Sequence, residues 1–245
     1  GEAEDFIGVR DAIDYVRRCL IDRDLFNVRP YFYEIIYGTL PPHTREQHES
    51  AGRFEYGRPR GLDGGPHDTP TGPIIWAFSG VDIALCDLID KALSTPCYNL
   101  FGGKFRDSVR IYLDRSSPQN KDNLDAWKQM GADAAQDGFG FIKFNVDQTA
   151  PECTDDVRNR SLSSRQIHQV VRRLGAVREA VGPDVELCAD CHRLYDVPSA
   201  IRLAQALAPL HLYWLEDPTS LINFEACAQV RRKSPIAICT GETLI

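Results

Sequence analysis

Apolar positions in GVRDAIDYVRRCLIDRD recur at Val9, Ile13, Val16 and Leu20, the spacing of one helical face, so residues 8–37 read as helical with loops. The next stretch, 39–73, has no period and few apolar residues. It is rich in Gly, Pro, Arg and His, and reads as a long surface loop in which His43, His48 and His67 are solvated. Residues 74–93, IIWAFSGVDIALCDLIDKAL, carry a strong helical pattern that TPCYNLFGG breaks. From Ser108 onward the pattern alternates. Strands are expected in SVRIYLD, FGFIKFNVD, DVELCADCH, LYWLEDP and PIAICTGETL. Helices between them start at about 123, 163, 197 and 223, the first two stopping at Gly138 and Gly182.

Five apolar strands alternating with four helices imply a parallel sheet with right-handed crossovers. A doubly wound sheet usually carries a Gly-rich phosphate loop after its first strand. YLDRSSPQN is not one, and neither GxGxxG nor GKS/GKT occurs. The expected class is therefore α/β, a (β/α) TIM-type barrel of which this chain holds about five strands. The expected domains are 1–107, with the loop 39–73, and 108–245, the first part of the barrel.

Composition narrows the function. Over the 245 residues, 43% are hydrophobic and 26% charged, as in a soluble globular protein, and the net charge of −7 argues against nucleic acid. No apolar run approaches membrane-spanning length, so no membrane partner is expected. The acidic opening GEAEDFIG does not read as a signal peptide, and the eight cysteines, scattered and unpaired in pattern, read as reduced thiols of a cytoplasmic protein. Cys188 and Cys191 form a CxxC, but on a strand they face opposite sides, which suits neither a metal nor a redox pair.

A barrel places its chemistry at the C-terminal ends of its strands. Those ends read Lys143-Phe-Asn145, Asp190-Cys-His192, Trp214-Leu-Glu216 and Thr240-Gly-Glu242. Alternation aims Lys143 with Asn145, and Asp190 with His192, to the same interior side. Asp190, Glu216 and Glu242 are each 26 residues apart, about one strand–helix unit, which would set three carboxylates at equal height on neighbouring strands. Converging carboxylates repel and need a cation, and oxygen-only ligands favour Mg²⁺ over zinc. Lys143 could be a base, a partner for a substrate carboxylate or an ion-pair partner of the acids. His192 could exchange a proton at neutral pH.

With these residues in hand, the chain resembles the enolase superfamily, in particular its mandelate racemase branch. Asp190, Glu216 in LEDP and Glu242 in GE are similar to that superfamily's metal-binding triad. FSGVDIALCDLIDKAL with PCYNLFGGKFRD looks like the lead into the barrel, and GEA like the end of the hairpin in an N-terminal α+β capping domain. The resemblance covers nearly the whole chain apart from the loop 39–73. It implies a barrel of more than five strands, so that this chain would be an internal portion of it. Racemases and lactonizing enzymes of the branch usually carry Lys-x-Lys on the second strand and Asp-x-Asn on the third. Lys143-x-Asn145 and Asp190-x-His192 look instead like the galactonate- and mannonate-type sugar-acid dehydratases.

What the resemblance implies is Mg²⁺-dependent β-elimination of water from an aldonate, through a metal-stabilised enediolate, to a 2-keto-3-deoxy acid. His192 would be the general acid for the departing 3-hydroxyl, and Lys143 and Asn145 would contact the carboxylate or a nearby hydroxyl. The α-proton base of galactonate-type enzymes is a histidine on a later strand. Mannonate-type enzymes use a tyrosine, for which Tyr56 and Tyr112 are available but not assigned. Racemisation or epimerisation of a carboxylate, or a non-catalytic member of the family, are the alternatives. The expected partners are a small-molecule sugar acid and further copies of the chain.

Overall fold

The computed structural model describes residues 2–3, 7–37, 72–146, 160–221 and 223–242. Almost all of the loop expected at 39–73 falls outside them, as do Tyr56 and its three histidines. The chain divides into two compact units at the Asp107–Ser108 boundary.

In the first unit the described residues form helices α1 (Val9–Leu20), α2 (Val28–Tyr37) and α3 (Pro73–Leu93), followed by a 3₁₀ turn at Cys97–Phe101. α1 buries Val9 and Val16, as its apolar stripe predicts, against Ile35, Ala77 and Phe78. α3 passes very close to Glu2 and Ala3 at Gly80. A Cβ there would stand 2.9 Å from the Glu2 carbonyl oxygen, so only glycine fits.

The second unit alternates β1 (Leu113–Arg115), α4 (Leu124–Gln136), β2 (Phe141–Asn145), α5 (Ser164–Val181), β3 (Glu186–Asp190), α6 (Val197–Leu207), β4 (Trp214–Glu216), α7 (Phe224–Lys233) and β5 (Ile238–Cys239). All neighbouring strands are parallel, in the order β1-β2-β3-β4-β5. A doubly wound sheet reverses its order partway; this one advances one strand at a time, as a (β/α) barrel does. The alternation resolves into two faces. Ile142, Phe144, Leu187, Ala189 and Leu215 join Trp127, Leu174, Val177, Leu203, Leu207 and Val230 in the core under the helices. Phe141, Lys143 and Asn145, then Cys188 and Asp190, then Trp214 and Glu216, take the opposite face by parity.

The ends of the elements follow local chemistry. Asn123 caps α4, Ser163 forms a capping box with Gln166 on α5, Asp196 caps α6 and Asn223 caps α7. Gly138 and Gly182, at φ of +90° and +73°, follow α4 and α5 where only glycine is unstrained. Strands are shorter than their apolar runs. β1 pairs only with β2, which begins at Phe141, so residues 108–111 have no strand beside them and Val109 and Ile111 are exposed. Among the described residues, no helix is long and apolar enough to cross a membrane.

Two changes probe this unit. A Cβ on Gly131 of α4 would lie 2.8 Å from Val177 Cγ1 and 3.0 Å from Val181 Cγ1 of α5. Valine is stiff at χ1, and overpacking a core costs about 1–3 kcal/mol against a helix-propensity gain of about 1 kcal/mol. Gly131→Ala is therefore expected to lower stability, by up to about 2 kcal/mol in urea unfolding. Burial alone would raise the Asp196 carboxyl, but hydrogen bonds from Ser161 and Ser199 outweigh it and hold it below the ordinary carboxylate range. Its cap therefore contributes fully above the unfolded-state value and is lost as pH falls through the lowered folded value. Asp196→Ala should cost about 1 kcal/mol near neutrality, and the gap to the unmodified protein should close in acid.

Candidate active site

The register sets Asn145, Asp190 and Glu216 side by side at the C-terminal ends of β2, β3 and β4. One turn lower on the same face, Lys143 lies level with Asp114 of β1 and Cys188 of β3. Lys143 is only 5% exposed, and its ammonium stands 3.0 Å from Asp190 Oδ2, 3.2 Å from Glu216 Oε1 and 3.4 Å from Asp114 Oδ2. It also lies 5.4 Å from the centre of the Tyr112 ring. Burial by itself would lower the lysine pKa, but the hydrogen bond and charge of Asp190, with those of Glu216, outweigh it and raise it well above the ordinary value. Lys143 is thus a fixed cation and the ion-pair partner of the acids.

One ammonium faces three carboxylates here, so negative charge is left over. The Glu216 carboxyl shows it. Burial and then the charge of Asp190 raise it, although Lys143 and the Trp214 indole pull the other way. Trp214 Nε1 donates to Glu216 Oε2 at 3.0 Å, which fixes the plane of that carboxylate and leaves Oε1 toward Lys143.

Asp190 is 2% exposed and its oxygens are divided. Oδ2 accepts from Lys143, while Oδ1 accepts from the His192 backbone N–H at 2.9 Å. This bond corrects the expected path of the chain. β3 ends at Asp190, and His192 and Arg193 adopt left-handed φ of +44° and +65°. His192 therefore reaches the site through a turn closed on Asp190, not by strand alternation, and its Nε2 lies 3.6 Å from Asp190 Oδ2. Asn145, at the end of β2, has a buried Oδ1 that meets no hydrogen-bond donor among the described residues.

Glu242 is placed differently from its expected height. The residue level with Glu216 on β5 is Cys239, and the chain leaves the sheet through Thr240 and Gly241 before Glu242 is reached. Its side chain is 53% exposed and accepts from Arg193 Nη1 at 3.0 Å. Among the described residues no three His, Cys, Asp or Glu side chains already converge as metal ligands. Asp190 and Glu216 nevertheless fit a hard cation: both offer carboxylate oxygens to one point, and the surplus negative charge there calls for more positive charge than Lys143 supplies. The seven described cysteines are free thiols, and Cys191 lies in the helix-side core.

Asp114, Trp214 and Arg193 complete the surroundings without having been singled out by sequence. Asp114 was within reach of the same strand-end logic, because it closes the apolar run VRIYL. Arg193 gave no such signal.

Residues 126–245 match the sequence family described as Enolase C-terminal domain-like. D-xylonate dehydratase from Haloferax volcanii is 35% identical over 175 residues, covering 71% of this chain and 42% of that enzyme. Among solved structures, a mandelate racemase/muconate lactonizing enzyme-like protein from Rubrobacter xylanophilus superposes with a TM-score of 0.77 at 31% identity. That match takes in 100% of this chain and 60% of the other. A structure from Burkholderia xenovorans strain LB400 bound to magnesium and fumarate shares the fold, at a TM-score of 0.76 and 23% identity over 99% of this chain and 58% of its own. The chain belongs to the enolase superfamily, and sugar-acid dehydratases are among its relatives. It spans less than half the length of the D-xylonate dehydratase it matches.

Removing one partner of a buried ion pair costs about 3–5 kcal/mol because the other charge is stranded. Lys143→Met is therefore expected to destabilise the chain by about that much in urea unfolding. Glu216→Gln, which leaves Lys143 its two other carboxylates, should cost less.

Proposed function

We propose that the protein this chain belongs to is a Mg²⁺-dependent dehydratase of a sugar acid, an aldonate, and gives a 2-keto-3-deoxy acid. The observation that carries this reading is the strand-end row of Asn145, Asp190 and Glu216 with His192 turned in beside Asp190. The dehydratase relative supports the reaction. The magnesium held by a protein of the same fold, named as an epimerase, supports the metal alone.

In this reading Asp190 and Glu216, with Glu242, would hold Mg²⁺. The ion would draw electron density from the substrate carboxylate and so acidify the adjacent C–H. The chain's own residues do the rest. Lys143 donates to Asp190 and to Glu216 at once, which holds oxygens of both carboxylates beside one point. Asn145 Oδ1 accepts from a substrate hydroxyl, satisfying an oxygen that has no donor among the described residues. His192 gives a proton to the 3-hydroxyl as its C–O bond breaks, and that oxygen leaves as water. The α-hydrogen leaves as a proton, to a base assigned to no residue here. Loss of H and OH from neighbouring carbons gives an enol, which tautomerises to the 2-keto acid.

The whole protein, incubated with Mg²⁺ and a panel of aldonates, should form a 2-keto acid with at least one of them, and EDTA should abolish it. His192→Asn should lower kcat by about 10²–10⁴-fold, the range for a general acid. Epimerised substrate without keto product would replace this reading with an epimerase. Mg²⁺ binding without turnover of any aldonate would leave a non-catalytic member of the family.

A further inference from the structure

The first unit brings together two thiols for which the proposed reaction has no use. α3 ends at Leu93, and Ser94 follows in the left-handed region at a φ of +50°. Its N–H donates to the Lys91 carbonyl, and the Thr95 N–H donates to that of Asp90. This reversal turns the chain back along the helix it has just left, and the 3₁₀ turn Cys97–Phe101 packs against α3. Cys86 and Leu93 of α3 line one groove with Leu100 and Phe101 of the turn as a result. Cys97 opens the 3₁₀ turn, and Cys86 lies about two helical turns before the end of α3. Their thiols are in hydrogen-bond contact. Both cysteines are free and partly exposed, whereas Cys188 and Cys191 of the second unit are buried.

We propose that Cys86 and Cys97 form a redox-modification site, at which a peroxide joins them in a reversible disulfide that staples the 3₁₀ turn to α3. It is independent of the reaction proposed above. The sulfurs have only to close from hydrogen-bond contact to the about 2 Å of an S–S bond. One thiolate attacks a peroxide oxygen and the O–O bond breaks. Sulfur is oxidised to a sulfenic acid, and the leaving oxygen takes up a proton as water. The second sulfur then attacks the sulfenic sulfur. The S–O bond breaks, the S–S bond forms, and the oxygen leaves as water with the second thiol's proton. Two thiols and one hydrogen peroxide thus give one disulfide and two waters. Burial, the charge of Asp82 and the contact with Cys97 all raise the Cys86 thiol above its ordinary value. It stays a thiol near neutrality, so its reaction relies on an oxidised sulfur already in contact with it.

The test is peptide mapping of the whole protein after treatment with hydrogen peroxide. Trypsin cuts after Lys91, which leaves Cys86 in the peptide ending there and Cys97 in the peptide Ala92–Lys104. With free thiols alkylated and no reductant present, the two peptides should be recovered joined, lighter than their sum by two hydrogens. Dithiothreitol should separate them, and the oxidised chain should not be cross-linked to another copy on a non-reducing gel. Cys97→Ser should abolish the joined species and leave Cys86 to be alkylated. Recovery of the two peptides unjoined from the unmodified protein, as alkylated thiols or as sulfinic acids, would overturn the proposal. So would linkage of either cysteine to a different cysteine or to a second copy of the chain.

Discussion

A single buried ammonium organises the second unit. Lys143 reaches from β2 to carboxylates on β1, β3 and β4, so one charge ties four of the five strands together at the end where the side chains turn polar. Taking carboxylates out of water costs several kcal/mol each, and that cost is offset only if a counter-charge meets them at close range. One positive charge against three negative ones does not complete the balance. The site folds around Lys143 and keeps surplus negative charge. That residual charge is the physical basis of the proposed function.

The helices supply the precision. Because side chains alternate along a strand, a one-residue slip would send every polar group of the inner face into the apolar core. Ile142, Phe144, Leu187, Ala189 and Leu215, locked under α4, α5, α6 and α7, make such a slip prohibitive. The close approach of α4 to α5 at Gly131, and the caps at Asn123, Ser163, Asp196 and Asn223, set where each helix starts and how near it lies to the sheet. The row of Asn145, Asp190 and Glu216 is the consequence of that packing on the opposite side of the same strands.

Much of this was legible from the chain. Period-two alternation located the strands and told Lys143 and Asn145 apart from Phe144. Gly138 and Gly182 marked helix ends because the positive φ that follows a helix suits glycine. Strand lengths were less legible, since an apolar run becomes a strand only where a neighbour offers hydrogen bonds. That is why SVRIYLD shrinks to Leu113–Arg115. The turn at His192 and Arg193 escaped the alternation rule because Asp190 bonds the His192 N–H and ends the strand.

Residue order sufficed for the class of fold and for placing Asp190 and Glu216 at strand ends, but it passed over Asp114. Strand–helix alternation without a phosphate loop admits few architectures, and carboxylates that close apolar strands are too costly to be incidental. Tertiary structure alone decided which acids meet. An even spacing of 26 residues counts chain length, whereas height on a sheet is set by register and by where each strand lets go. Asp190 and Glu216 meet at Lys143 because β3 and β4 end in register. Glu242 stands with Arg193 because β5 ends early, and a contact across 49 residues leaves no trace in local sequence.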